Sequence, residues 1–495
     1  MNPVTTRRLS LRTERASFRN PLAQLGFGWA LAVLTASPSL ATAQTRPPSP
    51  PAKNGNGAPA RDPVAGDGGQ ARLRALVVPG GLTADQVARL AVASSPELRG
   101  REAGTDAARA RGSQATAEFW PRLGLNARYN RLSHIDPPDL GNGFTFPVFV
   151  NNYSMGATIS VPVSDYLLRT ARSYRASKHG IAASKLETEA TRRKVVADAR
   201  LAYYDWIRAR GQLLVVEQRA ETAQAQVTDA GRLFEAGAVS KADVLSARAQ
   251  AKSVELALVR ARQLAELTTT RLRVATHETQ ANYQVGEDIF AALPPVAGVD
   301  NLESLYKEAL GSRPELAALR ETVAATDALA KLAGSGWWPR LELVGGITNA
   351  NPNPRIFPPR QKWDMTWDAG IVLTYAVTDL FGVSGRVREQ EARGREISAQ
   401  ADALLDGLRV EVQEAASAVN AANSAVEAAE QALLASDEGY RVRRELYLVG
   451  RATLLEVTSA ETELMTARLQ VIDANVEARQ ARVRLTRAVG RDAIQ

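Results

Sequence analysis

The chain has no cysteine and only three histidines and four methionines in 495 residues. Without cysteine, an exported protein would fold without disulfides, and no lipid could be attached through an N-terminal cysteine. So few soft or imidazole ligands leave no metal-relay signature. His134, His179 and His277 are scattered with no partner spacing. Gly382-Val383-Ser384-Gly385 misses the nucleophile-elbow pattern, and no phosphate-binding G-x-x-x-x-G-K-[ST] occurs. Nothing here points to an enzyme, and no cofactor or metal is implied. After the N-terminal segment there is no run of about 18 apolar residues, so no transmembrane helix is available. If the chain spans a membrane, it does so as a barrel. Half of the formal net charge of +8 comes from Arg7, Arg8, Arg12, Arg15, Arg19 and Glu14. The remainder is mildly basic and gives no argument for nucleic acid. Proline is absent between Val163 and Leu293 and again from Arg360 onward.

Residues 1–43 read as a secretion signal. The five arginines precede an apolar run from Leu22 to Leu34, and Ala41-Thr42-Ala43 supplies a small-x-small cleavage site before Gln44. The residues after Arg7-Arg8 fit twin-arginine export poorly, and a lipid-facing barrel must cross the inner membrane unfolded, so general secretion is expected. Residues 44–80 are rich in Pro, Gly and small polar residues and are expected to be disordered. Order is expected to begin near Thr83, a plausible N-cap for a helix from Ala84 to Ser94.

Trp363 to Thr378 alternates strictly. Trp363, Met365, Trp367, Ala369, Ile371, Leu373, Tyr375 and Val377 form one greasy face, and mostly polar or small residues form the other. The stretch exceeds the roughly 5–6 residues of an ordinary strand and carries aromatics near both ends, as lipid-facing strands do. An edge strand of a soluble sheet would look similar, because the alternation signal is weak in any one segment.

The rest of the chain says everything twice. Ser95-Pro96-Glu97-Leu98 opens a helical stretch ending at Trp120-Pro121-Arg122-Leu123. Arg313-Pro314-Glu315-Leu316 opens another ending at Trp338-Pro339-Arg340-Leu341, with the same spacing from Pro to Trp. In each copy an alternating strand, a Pro/Gly/Asn-rich loop and a second alternating strand follow. The first repeat covers 83–290, with strands at 121–131 and 152–164 and long helices at about 165–235 and 240–276. A linker with a short helix covers 291–312. The second repeat covers 313–490, with strands at 339–349 and 363–378 and helices at about 384–448 and 453–489. The third of these four helices is on the order of 100 Å long at 1.5 Å per residue, more than a globular core needs. After each helical turn, apolar residues step by three and four without a break: Val244, Ala247, Ala251, Val254, Leu258, Ala261, Ala265, Thr268 and Leu272, then Val457, Ala460, Leu464, Ala467, Val471, Ala474, Ala478, Ala481 and Leu485. Such spacing specifies coiled-coil packing.

Four lipid-type strands leave two unpaired edges, which hydrocarbon does not tolerate, so closure must come from other copies. Three protomers give twelve strands, within the range of outer-membrane barrels. The fold expected is mainly α with a transmembrane β-barrel part: a trimeric channel-tunnel in which a twelve-stranded barrel continues into an α-helical barrel. The competing expectation is a periplasmic or surface coiled-coil scaffold whose strands form a soluble sheet.

The two-fold repeat, the corner prolines, Phe234 to Leu245 (F-E-A-G-A-V-S-K-A-D-V-L), Tyr447 to Val457 (Y-L-V-G-R-A-T-L-L-E-V) and Arg484 to Gly490 (R-L-T-R-A-V-G) resemble the TolC family of outer-membrane efflux proteins. The resemblance covers about Thr83 to Gly490. It implies a homotrimer in outer-membrane lipid with its helices in the periplasm. That trimer would be a passive exit duct of a tripartite efflux or type I secretion system, served by a periplasmic adaptor (membrane fusion) protein and an inner-membrane transporter. The resemblance also puts Glu456 where family members carry a pore-lining acid, with Ser459 in place of the usual second acid. As residues, Thr453 to Glu456 and Ser240 to Asp243 equally read as capping boxes. By resemblance, Asp243, Tyr447 and Arg451 match a closed-state restraint, with the arginine displaced by one from its usual place, now Ala452. The exposed turns Gly237, Ala238, Val239, Gly450 and Arg451 would dock the adaptor, although Gly237 and Gly450 also suit left-handed helix ends. The cargo is not readable.

Overall fold

The computed structural model describes residues 77–135, 148–237, 239–278 and 282–491. The expected signal segment and most of the Pro/Gly-rich linker lie outside the described residues, as does Ala238. The chain forms β1 (Val77–Leu82), α1 (Ala84–Ser94), α2 (Pro96–Ala117), β2 (Arg122–Arg131), β3 (Asn151–Val161), α3 (Ala171–Glu235), α4 (Lys241–Thr276), α5 (Leu302–Ser312), α6 (Pro314–Gly334), β4 (Arg340–Asn351), β5 (Asp364–Thr374), α7 (Leu380–Leu448) and α8 (Leu454–Val489). Among the described residues no helix is long and apolar enough to cross a membrane.

The four repeat strands make one antiparallel sheet in the order β2-β3-β4-β5. Leu123 faces Ile159, Leu343 faces Ile371 and Ile347 faces Trp367, so the odd-numbered apolar residues share one face. That face is bare: Leu125 is 87% exposed, Met365 and Trp367 are each 75% and Ile371 is 71%. The strand expected at 363–378 ends at Thr374, which pairs with Arg340. The residue before Arg340 is Pro339, which has no N–H to extend the ladder. The chain then bends through a short turn at Val377–Asp379 into α7, which starts at Leu380 rather than near Ser384. In the first repeat, Pro162 similarly follows the last residue of β3, and a π-helical turn, Tyr166–Thr170, precedes α3. That turn directs Arg169 Nη2 to the carbonyls of Ser335 and Trp338, at 3.1 and 3.3 Å, tying the two corners together.

Below the sheet, α2 and α6 pack along α3, and α6 also packs against α7. Farther down, α3 pairs with α4 and α7 with α8, and α3 meets α8 to join the two hairpins. All nine α8 residues of the three-and-four pattern are buried, from Val457 to Leu485. They lie between α7 and α3, which explains why alanines dominate: small side chains let three backbones approach. Where α4 and α8 end, their last carbonyls, which lack helical partners, find donors in neighbouring segments. Ser94 Oγ donates to Thr276 O (3.1 Å), Arg313 Nη1 to Arg487 O (3.0 Å) and Arg193 Nη1 to Gly490 O (2.9 Å). The S-P-E-L and R-P-E-L motifs therefore mark where one helix stacks on another, with proline in the first turn, where no N–H is needed.

Val77–Leu82 form a strand, ahead of the expected start of order near Thr83. Leu82 N donates to Gln284 O (2.8 Å) and Gly286 N to Leu82 O (2.9 Å), so β1 is held by the inter-repeat segment. The approach is so close that a Cβ on Gly286 would lie 2.1 Å from Gly81 O. This belt wraps the helices at mid-height. Val285 and Ile289 pack on Tyr203, Trp206, Leu272, Ile472 and Val476. Arg479, 3% exposed, donates Nη2 to Asp288 O (2.9 Å) and Ala291 O (3.0 Å).

One buried ion pair crosses between the hairpins. Arg219 Nη1 of α3 lies 2.5 Å from Glu461 Oε1 of α8, and Gln226 donates to the other carboxylate oxygen. Burial pushes the Glu461 carboxyl up, and the Arg219 charge pulls it back. Breaking such a pair strands a charge, whereas replacing both partners does not. Glu461→Ala should therefore cost about 3–5 kcal/mol, and Arg219→Met combined with Glu461→Leu should recover most of it. Thermal unfolding of the detergent-solubilised protein reads both.

Candidate functional site

The helical hairpins turn at the end of the molecule away from the sheet, and the two turns are built alike. Gly237 and Gly450 each follow the last helical turn at φ +73°, which only glycine reaches without strain. Gly237 N donates to Phe234 O (2.9 Å), Gly450 N to Tyr447 O (3.0 Å) and Arg451 N to Leu446 O (2.8 Å). Three residues beyond each glycine a hydroxyl starts the next helix. Ser240 Oγ accepts from Asp243 N (3.2 Å), and Thr453 Oγ1 accepts from Glu456 N (3.3 Å). The acids reciprocate: Asp243 Oδ2 accepts from Ser240 N (2.9 Å), and Glu456 Oε2 accepts from Thr453 N (2.7 Å). Both are complete capping boxes. Asp243 and Glu456 are thus the same position in the two repeats, and Arg451 takes the place that Ala238 has in the first.

The expected site residues cluster around these turns. The Tyr447 phenol, in the last turn of α7, is raised by burial and then by the charges of Asp243 and Asp229. Tyr447 therefore lies within the field of the first-repeat acid, although among the described residues no hydrogen bond joins the two. Arg451 makes no ion pair among the described residues. Ser459 Oγ donates to Glu463 Oε1 at 3.4 Å, and Arg443 of α7 lies 3.2 Å from Glu463 Oε2. Sequence reasoning missed Glu463. It supplies a carboxylate one turn beyond the position where Ser459 stands, and its i+7 offset from Glu456 was the available signal. Apolar side chains around the turns are open to solvent: Leu455 is 77% exposed, Val449 68% and Phe234 45%.

Both capping acids are held below the ordinary carboxylate range. For Asp243 the Ser240 hydroxyl acts first and its N–H second. For Glu456 the Thr453 N–H acts first and the hydroxyl second. A folded pKa below the unfolded one gives stabilisation that is complete above the unfolded values, 3.8 for Asp and 4.5 for Glu, and is lost as pH falls through the folded ones. The protection factors of the Ser240 and Thr453 amides, exchange rates referred to the intrinsic rate at each pH, should fall on acidification below those values, and Asp243→Asn and Glu456→Gln should show the lower protection already at neutral pH.

Comparison with known proteins gives the same picture. The model of the family described as outer membrane efflux protein matches residues 87–276 and 305–491, one segment per repeat. A curated relative, outer membrane protein TolC of Escherichia coli strain K12, is 25% identical over 191 residues, which span 39% of this chain and 37% of the relative. Solved structures share the fold. The CmeC outer membrane channel of Campylobacter jejuni is 19% identical with a TM-score of 0.70, over 88% of this chain and 94% of its own. VceC of Vibrio cholerae is 18% identical with a TM-score of 0.70, over 82% and 96%. The MtrE outer membrane channel of Neisseria gonorrhoeae is 17% identical with a TM-score of 0.68, over 82% and 88%. With the doubled sheet-and-hairpin architecture and the family model both running through its two repeats, the chain belongs to the outer membrane efflux protein family, and its place is the outer membrane, with its helices in the periplasm.

Proposed function

We propose that three copies of this protein form the outer-membrane exit duct of a tripartite efflux or type I secretion system, a passive conduit from an inner-membrane transporter and periplasmic adaptor to the outside. The observation that carries this reading is the sheet. Among the described residues its β2 and β5 edges have no partner within the protomer, and one of its faces is apolar and bare. In hydrocarbon each unpaired backbone group costs several kcal/mol, so such a sheet is sound only as one third of a closed cylinder. CmeC and MtrE, which share the fold, are outer membrane channels, in agreement with it. Energy for transport comes from the partner, since the duct does no chemistry.

In this reading the paired helical turns ring the periplasmic entrance. Three Glu456 carboxylates, each already ionised by its capping bonds, set an anionic lining there. Ser459 and the Arg443-paired Glu463 leave that lining weaker than two free acids per chain would. Asp243, Tyr447 and Arg451 restrain the closed entrance, with Tyr447 in the field of Asp243. The adaptor docks on Gly237, Ala238, Val239, Gly450 and Arg451, with exposed Leu455 and Val449 as apolar anchors.

Two measurements check this. The protein from outer-membrane fractions should migrate as a heat-modifiable trimer; a detergent-independent soluble monomer would instead favour a periplasmic scaffold. Arg451→Ala should raise single-channel conductance and admit antibiotics that the unaltered channel excludes. Unchanged values for both would remove the restraint.

A further inference from the structure

Residues 352–363 join β4 to β5 at the end of the sheet opposite the helices, where the duct would open to the outside. The segment does not stand away from the sheet. Asn353, 2% exposed, donates Nδ2 to Asp364 O (2.8 Å) and Thr366 Oγ1 (3.3 Å), and its Oδ1 accepts from Arg355 N (3.0 Å). Arg355 then reaches Asp368 Oδ1 with Nη2 (3.0 Å) and Trp367 O with Nη1 (3.0 Å). Arg360 forks onto Asp364 at 2.9 and 2.8 Å. Asp364, Thr366 and Asp368 are the even-numbered residues of β5, on the face opposite Met365, Trp367 and Ile371, and so on the polar face that a closed barrel turns inward. Both arginines of the segment are thus paired with aspartates of that inner face.

We infer that the 352–363 segment is an exit-side constriction of the duct, folded over the lumenal face of the sheet and latched there by Arg355 on Asp368, with buried Asn353 as its fixed root. This rests on the trimeric duct reading. The root and the latch differ in strength. Asn353 is enclosed and fully bonded, whereas the side chains of Arg355 and Asp368 are 52% and 49% exposed, so salt screens their attraction. An outward swing about Asn353 breaks the exposed Arg355–Asp368 pair and the Arg355 bond to Trp367 O and leaves the ladder intact, as expected of a segment drawn from the weakly held end of a fold.

The absence of native cysteine gives a clean test. Val372 shares the inner face with Asp368 and lies nearer the helices. Val372→Cys is introduced alone and with Arg355→Ala, and whole cells are exposed to a small membrane-impermeant maleimide and to a bulky polyethylene-glycol maleimide. The small reagent should label both proteins. The bulky one should label the Arg355→Ala protein at least about fivefold faster, raised ionic strength should narrow that gap, and Arg355→Asp with Asp368→Arg should restore slow labelling. Equal bulky-reagent rates with and without Arg355→Ala overturn the latch while the duct stands. Failure of even the small reagent to reach Val372→Cys in either protein, both migrating as trimers, overturns the duct reading itself.

Discussion

A backbone N–H or C=O placed in hydrocarbon has no water to turn to. The sheet of this protein offers a full apolar face to such a medium, and among the described residues nothing pairs with the outer edges of β2 and β5. A soluble protein would cover that face. Among the described residues nothing does, and the rest of the architecture follows from it. The corners at Pro121 and Pro339 stop the ladders and turn the chain into helices, and Arg169 binds one corner to the other. Because each repeat supplies two strands and two helical rods, whatever closes the sheet also sets the helices side by side.

The helical part solves a second problem, which is length. A helix the size of α3 or α7 cannot be held by a compact core, so its partners are laid end to end along it, α2 beyond α4 and α6 beyond α8. Each joint is made by side chains that satisfy orphan carbonyls. At mid-height the belt of β1 and the inter-repeat segment clasps the bundle through Tyr203, Trp206 and Arg479. Toward the tips the packing thins to alanine and valine seams, with Arg219 and Glu461 the buried link between hairpins. The tips therefore have the least apolar material holding them.

The turns show how one local motif carries two meanings. Asp243 and Glu456 are identical in capping geometry, and that geometry accounts for both acids without any reference to transport. What separates them is their surroundings. Asp243 projects its charge onto Tyr447, while Glu456 leads a helix face that continues through Ser459 to Glu463 and its partner Arg443. Capping also holds both carboxyls below their ordinary range.

Much of this was written in the order of residues. The alternation in β2 to β5, the three-and-four spacing of α4 and α8, the glycine turns and the doubled W-P-R-L corners are local patterns, because period 2 and period 3.6 are properties of the backbone itself. These patterns determined the elements, the repeat, the apolar face and the capping acids. The tertiary structure decided what depends on remote segments meeting: the clasp of Val285 on Leu82, the docking of the α4 end on the end of α1, the pairing of Arg219 with Glu461 and of Arg443 with Glu463, and the fold of Arg355 back onto Asp368. A charged residue at any of these positions is equally at home in solvent. Only the path of the chain brings it opposite a partner, and a sequence read along one dimension contains no distance between residues that the fold makes neighbours.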